Sequence, residues 1–141
     1  VRLVDLGARV VHLADTIGAA NPARLASTVD AVRGRLPGQP LGLHLHNTYG
    51  MAPANVMRAI ELGVTRFDAA LGGIGGCPFA PGASGNIATD DLVHLLHREG
   101  MGTGIDGTKL AAVRDELAAL LEHRLPSALA SVPAAPAVLR R

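Results

Sequence analysis

Three kinds of side chain in this sequence have the types and spacing that chemistry needs. The first is the pair in "HLH" at residues 44–46. In a strand, alternate residues share a face, so His44 and His46 point together while Leu43 and Leu45 point the other way. Two imidazoles on one face can bind a divalent metal. They can equally be two independent histidines, each hydrogen-bonded at a polar strand end. The second is Cys77, the only cysteine, placed in "GGIGGCPFAPGASGN" (72–86) among six glycines and two prolines. A structural cysteine belongs in an apolar core; a thiol in a Gly/Pro-rich loop is reachable, as reactive chemistry requires. A thiol that closes over substrate as acid or base therefore stands against a loop cysteine with no role. The third is Asn86, whose amide oxygen can ligate a hard cation or make an Asx turn before the next helix. For an isolated Asn the turn is the expectation. Asp15 joins the list because a carboxylate at a strand end needs a partner: a metal-site group, substrate, an arginine or solvent.

Other features carry less. His94 and His97 are one helical turn apart, but no other ligand type converges on them, and they read as a solvated face. His12 and His123 give no signal. "GGIGG" lacks both G-x-x-x-x-G-K-[ST] and G-x-G-x-x-G, so a phosphate loop is not expected.

The elements that must position these groups alternate between two kinds. "VVHLADT" (10–16), "LGLHLHNT" (41–48) and "VTRFDAAL" (64–71) read as strands. Between them, Asn21 caps a helix that has Pro22 at its first position and runs through Leu36. A second helix spans about 53–62 and ends at Gly63. After the glycine-rich loop, Thr89 is expected to cap a helix through Glu99, with Asp90 and Asp91 at its positive end. A last helix runs from about Thr108 to Arg124, with Leu110, Val113, Leu117, Leu120 and Leu121 at helical spacing. Strands alternating with helices predict an α/β fold with parallel pairing. Asp15, Thr16, His44, His46, Asn47 and Thr48 then fall at the C-terminal strand ends, the side where ligand sites form.

Composition narrows the function. Of the 141 residues only three are aromatic, Tyr49, Phe67 and Phe79, so Leu, Val, Ile and Ala must build the core. Formal net charge is +1 with no basic stripe, which argues against a nucleic-acid partner. One cysteine excludes an intrachain disulfide and suits a reducing compartment. No apolar run approaches the roughly 18 residues of a membrane span, and "VRLVDLGARV" carries charges unlike a secretory signal. A cytoplasmic location without membrane contact is expected.

Together, "ADTIG" (14–18), "HLHNTYG" (44–50), "FDAALGGIGGCPFAPGASGNIATDDLVHLL" (67–96) and "GIDGTKL" (104–110) resemble, in order and spacing, the second half of the 3-hydroxy-3-methylglutaryl-CoA lyases. The resemblance runs from Val1 to about Leu125. That family belongs to the metal-dependent lyases of TIM-barrel fold, related to isopropylmalate and homocitrate synthases, from which the cysteine loop separates it. The resemblance implies a partial TIM (β/α)8 barrel: the last three βα units plus a C-terminal helix. Residues 1–125 would form the C-terminal part of the lyase domain. Residues 126–141 would be an Ala/Pro-rich tail, poorly ordered apart from the stretch up to Leu129.

It further implies cleavage of 3-hydroxy-3-methylglutaryl-CoA to acetyl-CoA and acetoacetate, assisted by Mg2+ or Mn2+. The family's metal ligands fall on His44, His46 and Asn86, its catalytic roles on Cys77 and His44, and its substrate-lining strand end on Asp15 and Thr16. An acyl-CoA is the implied partner, with homo-oligomers at full length. One departure stands out. The family opens with a strand carrying an arginine–aspartate pair, and nothing in this sequence matches it. The chain is therefore expected to be inactive alone, with exposed sheet edges. A lyase for another 3-hydroxyacyl-CoA, and a non-catalytic remnant or structural subunit, are the alternatives.

Overall fold

The computed structural model describes residues 2–76 and 85–132. Its elements in chain order are α1 (Arg2–Asp5), β1 (Val11–Asp15), α2 (Pro22–Arg35), β2 (Leu41–Leu45), α3 (Ala52–Glu61), β3 (Phe67–Asp68), α4 (Thr89–Arg98) and α5 (Gly107–Leu121). Short 3-10 turns occupy Leu71–Gly73 and Leu129–Ser131. The three strands form one parallel sheet in the order β1-β2-β3. Consecutive parallel strands joined through helices are the βα repeat expected from the sequence.

The two faces of the sheet differ because side chains alternate across it. Leu43 and Leu45 of β2 point to the helices, where they pack with Leu25 and Val29 of α2 and Val56 and Ala59 of α3. Register places His12 opposite Gly42, Ala14 opposite His44, and His44 opposite Asp68. The second face therefore carries His12, His44 and Asp68 in a row across three strands. One face builds the core and the other carries these polar side chains.

Helix ends follow the local chemistry. The Asn21 side chain accepts the Arg24 N–H at 2.9 Å, with Pro22 opening α2. Gly63 closes α3 in a two-bond reversal, Gly63 N–H to Ile60 O at 2.8 Å and Val64 N–H to Ala59 O at 2.8 Å, the pattern of a Schellman ending. Val64 is thereby buried in the helix ending, and the third strand shortens to Phe67–Asp68. Thr89 does not cap α4. Ala88 holds the cap position without a side-chain bond, and Thr89 is the first helical residue. The acidic pair that follows instead accepts distant backbone N–H groups, Asp90 that of Gly72 and Asp91 those of Ala128 and Leu129.

Asp106 caps α5, accepting the N–H groups of Thr108 at 2.9 Å and Lys109 at 3.1 Å. The Lys109 bond first, and then the Thr108 bond, holds its carboxyl below the usual range. A carboxylate with a depressed folded value adds stability above its unfolded value of ~3.9, which is lost as pH falls through the folded value. Thermal melts on acidification should therefore fall more steeply for the wild-type chain than for Asp106→Asn. Equal slopes below pH ~4 would remove the cap from the account.

The apolar spacing in α5 does not translate into a buried stripe. Val113, Leu120 and Leu121 are exposed, and the buried residue of the helix is Arg114. Arg114 Nη1 lies 3.4 Å from Asp90 Oδ2 in α4, so the face of α5 turned to α4 carries a charge pair. Ser127, in the stretch up to Leu129 that the sequence sets apart from the poorly ordered tail, is buried and hydrogen-bonded.

Candidate functional site

His44 lies within β2 and His46 just past its end, and their rings share one side with centroids 5.3 Å apart and planes tilted by 60°. The shared face predicted from spacing is present. Residues 85–87 run alongside this strand end: Asn47 N–H donates to Gly85 O at 3.1 Å and Ile87 N–H to Leu45 O at 2.9 Å. The result is an isolated antiparallel bridge pairing His46 with Asn86. Directly opposed residues in such a pair project to the same side, so the Asn86 side chain joins the two imidazoles.

Asn86 does not make the Asx turn. Its Nδ2 donates to Ile74 O at 3.0 Å, which leaves Oδ1 buried with no partner. The His46 Nδ1 is likewise buried and unpartnered. Burial is the main cause of a lowered His46 pKa, helped by the neighbouring His44 and opposed by the negative charge of Asp15. A neutral imidazole lone pair and a free amide oxygen are both donors that a divalent cation takes. Leaving two such atoms buried and unpaired is costly, and a shared cation would satisfy both. His44, His46 and Asn86 thus fit a hard or borderline divalent metal. Among the described residues no cluster of three or more His, Cys, Asp or Glu is arranged to hold a metal; this set reaches three donors only by including an amide.

Asp15 has a partner that its position in sequence did not disclose. Its two carboxylate oxygens accept the N–H groups of Ala19 at 3.1 Å and Ala20 at 3.0 Å, closing the turn after β1. Thr16 beside it is exposed. This turn packs hard against the metal-type histidine: a Cβ at Gly18 would stand 2.8 Å from Thr48 N and 2.9 Å from His46 O. Cys77 lies outside the described residues. The two ends of its segment are described, and they converge beside Asn86, where a Cβ on Gly85 would overlap the Gly75 carbonyl oxygen.

Sequence reasoning missed Asp68 and undervalued His12. Asp68 Oδ2 lies 2.8 Å from His12 Nδ1 and 3.9 Å from His44 Nδ1. His12 reaches across β2 because Gly42 leaves room: any Cβ there would sit within 2.5–2.8 Å of the imidazole. The available signal was strand parity, which puts all three residues on the face of His44. His94 and His97 form no such group, and His97 bonds Thr103 Oγ1 at 2.8 Å. A cavity of about 570 Å³ is lined by apolar residues such as Phe67, Leu92 and Leu96 and holds none of the candidate ligands.

Parallel βα units with ligand-type side chains at the C-terminal strand ends are the arrangement of the α/β enzymes. The chain belongs to the HMGL-like family, whose pattern matches residues 1–117. It is 50% identical over 124 residues to an (R)-citramalyl-CoA lyase of Chloroflexus aurantiacus, covering 88% of this chain and 39% of that protein. It is 46% identical over 120 residues to the hydroxymethylglutaryl-CoA lyase of Pseudomonas mevalonii, covering 85% and 40%. Among solved structures, an HMG-CoA lyase from Acinetobacter baumannii in complex with coenzyme A and 3-methylmalate superposes with a TM-score of 0.83 at 46% identity, over 94% of this chain and 46% of that one. Its structural neighbours are TIM-barrel HMG-CoA lyases, and the described strands form part of such a barrel. The chain spans about two fifths of the length of the curated relatives it matches. Among the described residues, no helix is long and apolar enough to cross a membrane.

Proposed function

We propose that this chain supplies the metal-binding and strand-end part of a carbon–carbon lyase that cleaves 3-hydroxy-3-methylglutaryl-CoA to acetyl-CoA and acetoacetate. The observation that carries this reading is the pair of buried, unpartnered donors, His46 Nδ1 and Asn86 Oδ1, opposed across one bridge beside His44. A divalent cation, Mg2+ or Mn2+, bound there supplies Lewis acidity toward the substrate's oxygens. His44, His46 and Asn86 hold it. Asp15 and Thr16, at the end of β1, contact the substrate, and the Asp15 carboxylate keeps the turn that follows closed. The reaction passes the proton of the tertiary hydroxyl to Cys77 as base, turns that oxygen into the ketone of acetoacetate and breaks the adjoining carbon–carbon bond. The electron pair is left on the acetyl-CoA carbon as an enolate, which then takes up a proton. Cys77 is the acid–base group for that transfer. The chain corresponds in this reading to the last three βα units of the barrel.

A second substrate has specific support. Identity to the citramalyl-CoA lyase is 50%, against 46% and 41% to two bacterial hydroxymethylglutaryl-CoA lyases. Both acyl groups are tertiary 3-hydroxyacyl thioesters open to the same bond cleavage. A panel of both thioesters, assayed on protein in which this chain stands with the further length its relatives have, decides between them.

The metal site is testable on the chain itself. Mn2+ titration followed by electron paramagnetic resonance should show one site. His46→Ala or Asn86→Ala should weaken it by more than the ~10–100-fold typical of losing an outer-sphere partner. Unaltered binding in both variants would refute the assignment.

A further inference from the structure

Asn86 does not orient itself. An amide side chain presents oxygen or nitrogen to a cation according to which end is held elsewhere. Here the nitrogen is held by the Ile74 carbonyl at 3.0 Å. The fit is tight, since a Cβ on Gly75 would stand 2.8 Å from that nitrogen. The position of Ile74 therefore decides whether Asn86 offers oxygen.

Ile74 follows directly on the Leu71–Gly73 turn, and both peptide groups of Gly72 in that turn are held from outside it. Its N–H donates to Asp90 Oδ1 at 2.9 Å, a buried bond, and its carbonyl accepts the Ser127 N–H at 3.0 Å. Asp90 is 4% exposed and Ser127 2%. The Asp90 Oδ2 takes the Ser127 hydroxyl and faces Arg114 Nη1 at 3.4 Å. Within the turn, Gly73 N–H donates to Ala70 O at 2.9 Å. A continuous set of bonds thus runs from Asp90 through Gly72 and Ile74 to the Asn86 amide.

We propose that Asp90 is a positioning residue for the metal centre: by fixing the Gly72 amide it keeps the Ile74 carbonyl on Asn86 Nδ2 and so turns Asn86 Oδ1 toward the cation. Asp90 touches neither metal nor substrate. The inference rests on the proposed function only for the identity of what Asn86 faces. The orientation of the amide is a property of the chain without any metal.

Three variants of the chain separate this role from support of the fold. Asp90→Asn keeps an oxygen for the Gly72 N–H but gives up the charge facing Arg114. Asp90→Ala removes both. Ser127→Ala removes the hydroxyl that Asp90 shares with Asp91 and the Ala130 N–H, and leaves the Asp90 carboxylate on the Gly72 N–H. The readout is the Asn86 side-chain NH2 signal in NMR of the metal-free chain, whose proton bonded to Ile74 resonates downfield and exchanges slowly. In wild type and Asp90→Asn this signature should be present, whatever the change in stability. In Asp90→Ala it should collapse, with Ser127→Ala in between. The Mn2+ titration should follow the same order: about a ten- to hundredfold loss of affinity in Asp90→Ala and a change within about threefold in Asp90→Asn.

Should Asp90→Ala fail to fold, Ser127→Ala against Asp90→Asn decides the matter. A signature that is absent in wild type, tracks stability across the variants, or survives both alanine variants overturns the proposal. Wild type that shows the signature but binds no Mn2+ leaves the positioning intact and sinks the metal reading instead.

Discussion

Asp90→Ala is expected to lower the unfolding free energy of the chain by about 3–5 kcal/mol, the typical cost of stripping one partner from a buried charge pair. The carboxylate holds the Gly72 N–H at 2.9 Å, the Ser127 hydroxyl and Arg114 Nη1. Arg114 is largely buried and would keep only its bonds to the exposed Asp115. Gly72 N–H and Ser127 Oγ would each lose an acceptor in the interior. Domains of this kind have only about 5–15 kcal/mol in hand, so urea midpoints should move by a large fraction of their range. A loss under about 1 kcal/mol, the size of one ordinary hydrogen bond, would mean that water replaces the carboxylate and that the network is not closed.

Gly18→Ala should cost about 2–5 kcal/mol and damage the candidate metal centre as well. Gly18 sits at φ 70°, where a Cβ costs about 1–2 kcal/mol. The added carbon would also meet the Thr48 nitrogen at 2.8 Å and the His46 oxygen at 2.9 Å. Those are backbone atoms and cannot swing aside as a side chain does, and overpacking of this kind adds about 1–3 kcal/mol. The relief must come from moving residues 46–48, which carry His46 and face Asn86. Gly38 provides the control. It has φ 75° but nothing within 4 Å of its would-be Cβ, so Gly38→Ala should show the conformational cost alone and leave Mn2+ affinity untouched. Equal effects at the two glycines would show that the contact with residues 46–48 is not decisive.

Much of this was legible in the sequence because it depends on local rules. Asn21–Pro22 announces a helix start, Gly63 a helix end, and the alternation in "LGLHLH" the shared face of His44 and His46. The long-range parts were not legible from local pattern. Nothing near Asn86 in sequence tells that it lies opposite His46; only the family resemblance grouped it with the two histidines. The turn that holds Asp15 uses backbone amides, which carry no residue-type signal. In α5, leucines stand at helical spacing, but the buried residue is Arg114, whose partner Asp90 lies 24 positions away in the sequence. His12 looked inert because its meaning lies two strands away, at Asp68, and depends on the missing side chain at Gly42. Residue types announced candidate ligands, while the partners that orient them came from non-local pairing.

The seating of Ser127 on Gly72 and Asp90 has a consequence for how the molecule is made. The Ser127–Asp90 bond joins residues 37 positions apart, and chains emerge from the ribosome N-terminal end first. The strands and both candidate histidines are translated well before Ser127 appears. Until that residue clears the exit tunnel, the root of the glycine-rich segment lacks its anchor, so cation binding by a nascent chain should switch on late, after the last helix has already formed.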